Sequence, residues 1–271
     1  MIPNVQIFDK TISAYLVLAI LGILTTLFVL YRIAEHHGLD EIQMLFMTLI
    51  GFGAAGAGGG LLYGLTNYRL IAALFRNFEK ISSFRELLSA LKIIFGGSVF
   101  YGGLIGILIV ALVYTRKKHL SARYLDVAAI GIPLFHVFGR LGCFFSGCCF
   151  GIESSFGFVY HYSPIPFAND VRRFPVQLLE AAFNACLCLV LYLLFRKKKM
   201  EGRLLSVYLF AYPTFRFFDE FLRGDAYRGI WFGLSTSQWI SLLLIAVNAG
   251  CLLYCYFRKK RACAVTAERR S

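Results

Sequence analysis

The sequence lacks the short motifs by which nucleotide-dependent enzymes and hydrolases are usually detected. It has neither a P-loop nor a dinucleotide-binding glycine fingerprint, and no order of residues that predicts a Ser-His-Asp nucleophile. No nucleic-acid-binding motif accompanies the net charge of +13, so we expect no nucleic-acid partner. The N-terminus has no small-residue cleavage site and does not predict a removable signal peptide. No internal repeat is visible, which disfavours a transporter built on inverted repeats.

Charged residues are also scarce, at 16% of the 271-residue chain, whereas hydrophobic residues make up 58%. A soluble domain cannot bury this much hydrocarbon, and several apolar runs approach the ~20 residues that cross a bilayer. We therefore predict an all-α polytopic membrane protein that forms a single transmembrane domain over residues 1–271. The seven predicted spans are 12–32, 43–64, 92–115, 124–146, 175–195, 204–222 and 237–257.

The second predicted span is rich in glycine. Small residues allow transmembrane helices to approach each other closely, and this is the interpretation we favour. The alternative is that the missing side chains leave room for a lipid headgroup. The glycines concerned are Gly51, Gly53, Gly56, Gly58, Gly59 and Gly60.

The distribution of basic residues predicts an orientation in the membrane. With seven spans, three loops (33–42, 116–123 and 196–203) lie on the same side as the basic tail 258–271, and this side carries the larger share of Lys and Arg. By the positive-inside rule, the C-terminus is cytoplasmic and the N-terminus lies outside. A basic stretch after the second span lies on the other side and weakens this bias.

That stretch mixes apolar and basic side chains at helical spacing. Leu70, Leu74 and Phe78 share one face, opposite two arginines. This pattern is typical of an amphipathic helix in the interface of an anionic membrane, and a solvated basic loop is the alternative. We therefore predict an interfacial arm at 66–91.

Polar residues inside apolar spans are costly and indicate function. Three sets occur, each spaced to share one helical face. They are His136, Arg140, Cys143 and Gly147; Gln177, Glu180 and Asn184; and Arg216, Glu220 and Arg223, with Asp219 adjacent. We expect Arg216 and Glu220 to pair. Because arginine binds phosphate through bidentate hydrogen bonds, convergence of the sets predicts a site for an anionic headgroup. Ion pairs that only hold helices together are the alternative.

Eight cysteines are present, and only Cys143, Cys148 and Cys149 are clustered. Zinc sites usually present two spaced cysteine pairs, or one pair with two histidines, and that pattern is missing here. Packing with weak hydrogen bonds is the interpretation we favour, while a disulfide on an oxidising outer face and a metal site stay open. Adjacent Cys148 and Cys149 cannot pair with each other without strain. We expect no cofactor and no metal.

The segment 139–151, GRLGCFFSGCCFG, resembles the signature of the prolipoprotein diacylglyceryl transferases. In that family the signature reads approximately G-R-x-G-N-F-x-N-x-E-x-x-G, so the arginine and the glycines match. Further segments resemble family motifs in the same order along the chain. They are 100–106 (FYGGLIG), 174–180 (FPVQLLE), 215–223 (FRFFDEFLR) and 234–238 (LSTSQ). The resemblance covers nearly the whole chain.

This resemblance implies a reaction, a location and a set of site residues. Phosphatidylglycerol donates its diacylglyceryl group to the lipobox cysteine thiol of a prolipoprotein signal peptide, and glycerol phosphate leaves. The implied location is the bilayer of the bacterial cytoplasmic (inner) membrane. Arg140 and Arg216 are predicted to clamp the leaving phosphate, with Glu220 holding Arg216 and Tyr101 relaying the proton. The predicted substrate-binding residues are Gly139, Gly142, Cys143, Gly147, Gly151, Gln177, Glu180, Arg223 and His136.

Several residues depart from the family pattern. Tyr101 replaces a histidine often considered catalytic, and a tyrosine with an ordinary pKa of about 10 is a poor base. The other replacements are Cys143 and Ser146 for asparagines, Cys148 for a glutamate, Phe174 for a histidine and Gly60 for an arginine. Two alternatives therefore stay open: a transferase that uses the same lipid donor on a different acceptor, and a non-catalytic lipid-binding or redox membrane protein.

Overall fold

A computed structural model of the protein describes residues 4–7, 10–78, 83–97, 99–224 and 229–268, without the side chains of 4–7, 10–12, 259 and 261–268. The helices are α1 (Ala14–His36), α2 (Glu41–Thr66), α3 (Tyr68–Arg76), α4 (Phe84–Phe95), α5 (Phe100–Lys117), α6 (Arg123–Ser146), α7 (Val176–Arg196), α8 (Leu204–Asp219) and α9 (Thr236–Glu268). Three antiparallel hairpins lie outside them: β1 (Asn4–Ile7) with β2 (Lys10–Ser13), β3 (Glu153–Val159) with β4 (Arg172–Arg173), and β5 (Ile230–Trp231) with β6 (Leu234–Ser235).

Within the described residues, six helices are long and apolar enough to cross a membrane: α1, α2, α5, α6, α7 and the first part of α9. Their outer faces carry large exposed side chains such as Leu24 and Phe28, which are 58% and 65% exposed. A continuous apolar surface of this kind is stable only in contact with lipid. The predicted all-α polytopic membrane protein is therefore confirmed.

The helix α8 is shorter than these six, with 16 residues. It starts level with the start of α6, because two backbone N–H groups at its start donate to the Asp126 carboxylate, at 2.5 and 2.9 Å. The turn after it ends level with the end of α6, because Gly151 pairs with Arg223 in an antiparallel bridge. The helix and its following 3-10 turn therefore run beside α6, and the crossing predicted at 204–222 stays a prediction.

The third crossing begins later than the sequence predicts. The predicted span 92–115 joins the end of α4 to α5, but these are separate helices. Gly96 and Gly97 lie between them, and a Cβ added at Gly97 would lie 2.4 Å from the ring of Tyr63 on α2. The apolar run is continuous in sequence, whereas the backbone breaks where two glycines let it pack tightly against α2.

The loops predicted on the basic side of the membrane contact one another. The backbone N–H of Asp40, before α2, donates to the Tyr124 hydroxyl at the start of α6, at 2.7 Å. The His37 ring packs edge-on against Phe195 at the end of α7, with centroids 4.9 Å apart. These loops therefore share one face, as two crossing helices between each loop and the next require.

The glycines of α2 divide into two groups. A Cβ added at Gly58 would lie 2.3 Å from the carbonyl oxygen of Gly102, and one at Gly60 would lie 2.9 Å from that of Phe95. Close helix packing is therefore confirmed for these two positions. It does not hold for three others, which have no described atom within 4 Å of an added Cβ: Gly51, Gly53 and Gly56.

Gly58→Val is expected to lower the stability of the folded protein by about 1–3 kcal/mol, because the new side chain meets the backbone of α5. Gly56→Val is the matched control, since it introduces the same residue into the same helix where an added Cβ has open space. The control is expected to change the stability of the unsubstituted protein by less than about 0.5 kcal/mol. Thermal unfolding in detergent measures both, and equal melting temperatures would contradict the close contact between α2 and α5.

The predicted interfacial arm, 66–91, contains the short helix α3 and the first two turns of α4, which runs on to Phe95, with residues 79–82 outside the described part of the chain. Both follow the end of α2 that lies opposite the basic loops. Exposed apolar side chains stand beside arginines here: Phe75 and Phe84 are 73% and 78% exposed. This arrangement fits an interfacial position, which stays a prediction. The predicted tail 258–271 begins within α9, and residues 269–271 lie outside the described chain.

Candidate active site

The polar site is built on α6, the most enclosed of the crossing helices. His136 and Arg140 lie one turn apart and are 4% and 7% exposed. On the neighbouring α7, Gln177, Glu180 and Asn184 are all buried, which confirms that they share one inward face. The two predicted polar faces therefore meet inside the helical bundle.

Arg140 and Glu180 form a buried ion pair that joins α6 to α7. Arg140 Nη2 lies 2.8 Å from Glu180 Oε1, and the Tyr212 hydroxyl of α8 donates to the same oxygen at 3.1 Å. Arg140 Nε donates to His136 Nε2 at 3.2 Å, which assigns the imidazole proton to Nδ1. The 3.4 Å approach of His136 Nε2 to Glu180 is therefore a contact with a neutral ring. Three helices meet at this pair.

Buried polar atoms around the pair have no hydrogen-bond partner among the described residues. They include Glu180 Oε2, His136 Nδ1, Gln177 Oε1 and Asn184 Oδ1. Buried polar groups in folded proteins are nearly always hydrogen-bonded. The site therefore has hydrogen-bonding capacity that a polar ligand can use.

Arg216 lies at the end of α8 between two carboxylates. Its Nη1 is 2.7 Å from Asp219, and its Nη2 contacts Glu220. The predicted pairing of Arg216 with Glu220 is thus confirmed. The predicted single helical face for Arg216, Glu220 and Arg223 is wrong, because α8 ends at Asp219 and the chain leaves the helix to pair Arg223 with Gly151.

Aromatic rings enclose the ion pairs. Phe100 stacks on His136 with centroids 3.9 Å apart, and Tyr212 lies 5.1 Å from each of these rings. Tyr101 is 2% exposed, and its hydroxyl hydrogen-bonds to the hydroxyl of Ser241 on α9. Five helices therefore contribute to one enclosed cluster.

Tyr208, Tyr212 and Ser241 belong to this cluster although no motif of the sequence marks them. Tyr208 and Tyr212 are fully buried and precede Arg216 at spacings of eight and four residues. This helical period is a signal that places Tyr208, Tyr212 and Arg216 on one face of α8. Ser241 carries no comparable signal, because its partner Tyr101 lies 140 residues away in the chain.

The signature glycines shape the end of α6 and the turn after it. Gly147 caps the helix with a left-handed φ of 71°, so the predicted helical face that begins at His136 loses its last member. A Cβ added at Gly142 would lie 2.9 Å from the ring of Tyr15, and one at Gly151 would lie 2.3 Å from the carbonyl oxygen of Phe174, so both glycines allow close packing. Gly139 has no described atom within 4 Å of an added Cβ. Their roles in substrate binding stay predictions.

Gln177 supports the loop that follows α6. Its Nε2 donates to the backbone oxygen of Cys148 at 2.8 Å and to the Tyr160 hydroxyl at 3.1 Å. These bonds tie α7 to the loop that carries two of the clustered cysteines. The structure therefore places Gln177 as a support for this loop.

Cys143, Cys148 and Cys149 bring three sulfur atoms within 4.8 Å of one another. None of the three forms a disulfide with another cysteine of the described chain. The pKa of Cys149, which lies beyond the end of α6, is well below its usual range. Hydrogen bonds from Cys143 and Cys148 lower this pKa most, burial opposes them, and Arg223 and Arg140 lower it further. The cluster is therefore suited to hold negative charge.

The buried arginines are balanced by carboxylates. Glu180 compensates Arg140, while Asp219 and Glu220 flank Arg216. Charges in a membrane interior need such partners, and the structure supplies them from the protein itself. The carboxylates also fix the direction of each guanidinium group, so the arginines are oriented before an anion arrives.

One protein-family model and several curated relatives match this chain over most of its length. The family model described as prolipoprotein diacylglyceryl transferase matches residues 4–254, which include every site residue named above. A phosphatidylglycerol–prolipoprotein diacylglyceryl transferase of Clostridium tetani is 31% identical over 257 residues, covering 94% of this chain and 98% of the relative. The protein named phosphatidylglycerol–prolipoprotein diacylglyceryl transferase 2 of Clostridium perfringens is 31% identical over 256 residues, covering 92% of this chain and 92% of the relative. One from Helicobacter pylori is 37% identical over 174 residues, covering 61% of this chain and 60% of the relative. The chain therefore belongs to the prolipoprotein diacylglyceryl transferase family.

Proposed function

We propose that the protein transfers the diacylglyceryl group of phosphatidylglycerol to the lipobox cysteine thiol of a prolipoprotein signal peptide. The names of the clostridial relatives contain this donor and this class of acceptor. The observation that carries the proposal is the meeting of Tyr101, Arg140, Glu180 and Arg216 in one buried cluster. These residues come from four separate segments that resemble family motifs.

A phospholipid donor needs an anion site beside an apolar surface. An open apolar groove of about 630 Å³ runs between α7 and α8. Phe183 follows Glu180 by one turn and Phe215 directly precedes Arg216, so the groove lies at the same level along these helices as the buried charges, and we propose that acyl chains of the donor occupy it. The groove is lined by Phe183, Val207, Phe210, Ala211, Thr214 and Phe215.

The transfer is a displacement at carbon. The acceptor thiolate sulfur attacks the glyceryl carbon that bears the phosphate ester, the C–O bond breaks, and its electron pair leaves with glycerol phosphate. Arg140 and Arg216 stabilise the charge that develops on this leaving group. Glu180 holds Arg140, and Glu220 holds Arg216, so neither guanidinium has to reorganise during the reaction.

The acceptor thiol must lose its proton before it attacks. Tyr101 is proposed to relay this proton to water: its hydroxyl oxygen accepts the thiol proton while its own hydroxyl proton passes to a water molecule. The bond to Ser241 holds this hydroxyl in place, because Ser241 in turn donates to the Ser237 carbonyl oxygen at 2.8 Å. His136 is a weaker candidate, because its Nε2 already accepts a hydrogen bond from Arg140. A neutral tyrosine passes a proton on but does not retain it, so this step is where the site departs most from its family.

The proposed orientation puts the C-terminus in the cytoplasm and the N-terminus outside. The loops that contact one another around Tyr124, taken together with Arg32 and the basic tail 258–271, carry 16 of the 28 Lys and Arg residues, which supports a cytoplasmic position for them. The cluster of Arg216 and Arg223 then lies toward the outer leaflet, where a signal peptide emerges. The arm at 66–91 would rest on the same leaflet and attract anionic lipid.

Purified protein in vesicles of phosphatidylglycerol is expected to modify a synthetic lipobox peptide. The cysteine peptide should gain one diacylglyceryl group by mass spectrometry, with release of an equal amount of glycerol phosphate. A matched peptide with serine in place of the cysteine, and vesicles of phosphatidylethanolamine alone, should both give no product. Folded protein that leaves the cysteine peptide unmodified would overturn the proposal, and a lipidated acceptor of another kind in cells would then indicate the alternative transferase.

A further inference from the structure

The three clustered cysteines are held together by backbone bonds as well as by proximity. The backbone N–H of Cys148 donates to the Cys143 carbonyl at 3.1 Å, which closes the turn at the end of α6. Gly147 and Cys149 both have left-handed backbone, with φ of 71° and 56°. A left-handed φ is uncommon for a residue other than glycine, and Cys149 adopts it in the turn where the three sulfur atoms lie within 4.8 Å of one another. The fold therefore builds this grouping of sulfur atoms at some conformational cost.

The spacing of the sulfur atoms matches a tetrahedral metal site closely. Zinc–thiolate bonds are about 2.3 Å long, so tetrahedral geometry separates two sulfur ligands by about 3.8 Å. The three sulfur atoms lie within 4.8 Å of one another, and shifts of about 1 Å or less would bring them to that spacing. Three thiolates select a soft or borderline ion such as Zn²⁺ over Mg²⁺ or Ca²⁺.

The surroundings favour negative charge and leave one side of the cluster open. Arg140 lies one turn before Cys143 on α6, and Arg223 pairs with Gly151, two residues after Cys149, so three thiolates and a divalent ion would have cationic neighbours. Cys143 is buried, whereas Cys148 and Cys149 are only half-buried. Three protein ligands with an open fourth position are the arrangement of a catalytic zinc site, whereas structural sites are closed by four.

We propose that Cys143, Cys148 and Cys149 bind a zinc-type ion through three thiolates, and that the acceptor cysteine thiol occupies the fourth position. This inference rests on the proposed function and adds an acceptor site to it. The acceptor thiol replaces a bound water molecule and releases its proton to solvent as it coordinates. The resulting metal-bound thiolate sulfur attacks the glyceryl carbon, and the C–O electron pair leaves with glycerol phosphate. The thioether product is a weaker ligand than the thiolate and is exchanged for water.

This site would supply the deprotonation for which Tyr101 is poorly suited. It also gives a chemical reason for the cysteines that stand where the family signature has other residues. The sequence pattern did not predict it, because three ligands within seven residues differ from the two spaced pairs of common zinc motifs.

Cobalt(II) titration of the reduced full-length protein, in detergent and without lipid donor or peptide, tests the metal site directly. One equivalent of Co²⁺ is expected to bind with thiolate-to-cobalt charge-transfer absorption and tetrahedral visible bands, and Zn²⁺ should displace it. Cys149→Ser should weaken this binding by more than about 100-fold. Cys186→Ser is the matched control, because Cys186 is an exposed thiol on α7, and it should leave the spectrum unchanged.

Adding lipobox peptide to the cobalt protein tests the acceptor position. The cysteine peptide is expected to shift the visible bands and strengthen the charge-transfer absorption, whereas the serine peptide should change neither. Absence of a stoichiometric thiolate–cobalt spectrum, or an unchanged spectrum with the cysteine peptide, would overturn the inference. Full transfer by chelator-treated protein or by the triple serine variant would also overturn it while leaving the proposed function intact. A cobalt spectrum that responds to the peptide in a protein without transfer activity would instead support the site and contradict the function.

Discussion

Arg140→Ala is expected to lower the rate of diacylglyceryl transfer by at least about 10²–10³-fold, which is the loss typical for one preorganised donor to a developing oxyanion. Arg140 lies fully inside the bundle, oriented by Glu180 at 2.8 Å and by His136 at 3.2 Å. Nothing else on α6 can place a cation at this depth. The measurement is the initial rate of peptide lipidation, with glycerol phosphate release as a second readout.

A rate loss in this variant alone does not separate catalysis from stability. Removing Arg140 leaves the Glu180 carboxylate buried without its cation, which costs about 3–5 kcal/mol of folding stability. Arg140→Ala combined with Glu180→Gln removes both charges, so the melting temperature is expected to recover most of the loss. The rate is expected to stay low, because the phosphate still lacks its guanidinium. Recovery of both stability and rate in the double variant would show that the pair only joins α6 to α7.

The parts of this site that a helical period encodes could be predicted from the sequence. Gln177, Glu180 and Asn184 lie at spacings of three and four residues in an uninterrupted helix, so their shared buried face follows from geometry alone. The same reasoning placed His136 and Arg140 one turn apart on α6. It works wherever the helix continues past the last residue of the pattern.

The same reasoning fails where a helix ends for a tertiary reason. Glu220 and Arg223 continue the period of Arg216 in sequence, but the chain leaves α8 so that Arg223 can pair with Gly151. The partner of that bridge is 72 residues away, so no local pattern contains it. The break between α4 and α5 has the same character, because it depends on the contact of Gly97 with Tyr63 of another helix.

The sequence predicted only part of the charge compensation, the pairing of Arg216 with Glu220. Two arginines buried in a bilayer require anions, and the sequence could not say whether a ligand or the protein provides them. The structure assigns Asp219 to Arg216 at 2.7 Å, a residue that lies beside the polar face predicted for α8. Once Arg223 is counted with Arg140 and Arg216, the three arginines balance the three carboxylates Glu180, Asp219 and Glu220. A site that is neutral without ligand can be preorganised in lipid, and it presents directed N–H groups to a phosphate.

Arg216→Ala is expected to reduce transfer as severely as Arg140→Ala, by about 10²–10³-fold, because both guanidinium groups face the leaving phosphate in the proposed geometry. Arg216 contacts Asp219 and Glu220 with separate nitrogens, which fixes the plane of the guanidinium. Arg216→Lys keeps the charge but lacks the planar fork and cannot hold both contacts in that geometry. It is therefore expected to recover only part of the rate.

The kinetic form of this loss distinguishes a phosphate clamp from a binding surface. An interaction that strengthens as the C–O bond breaks acts on kcat, whereas one that only attracts the anionic lipid acts on KM. We expect the loss in Arg216→Ala to lie mainly in kcat, measured over a range of phosphatidylglycerol fractions in neutral vesicles. Arg172→Ala removes an exposed arginine of β4 and should change the rate by less than about twofold, since exposed charges contribute little. A loss confined to KM would place Arg216 in lipid attraction and leave Arg140 as the residue that stabilises the leaving group.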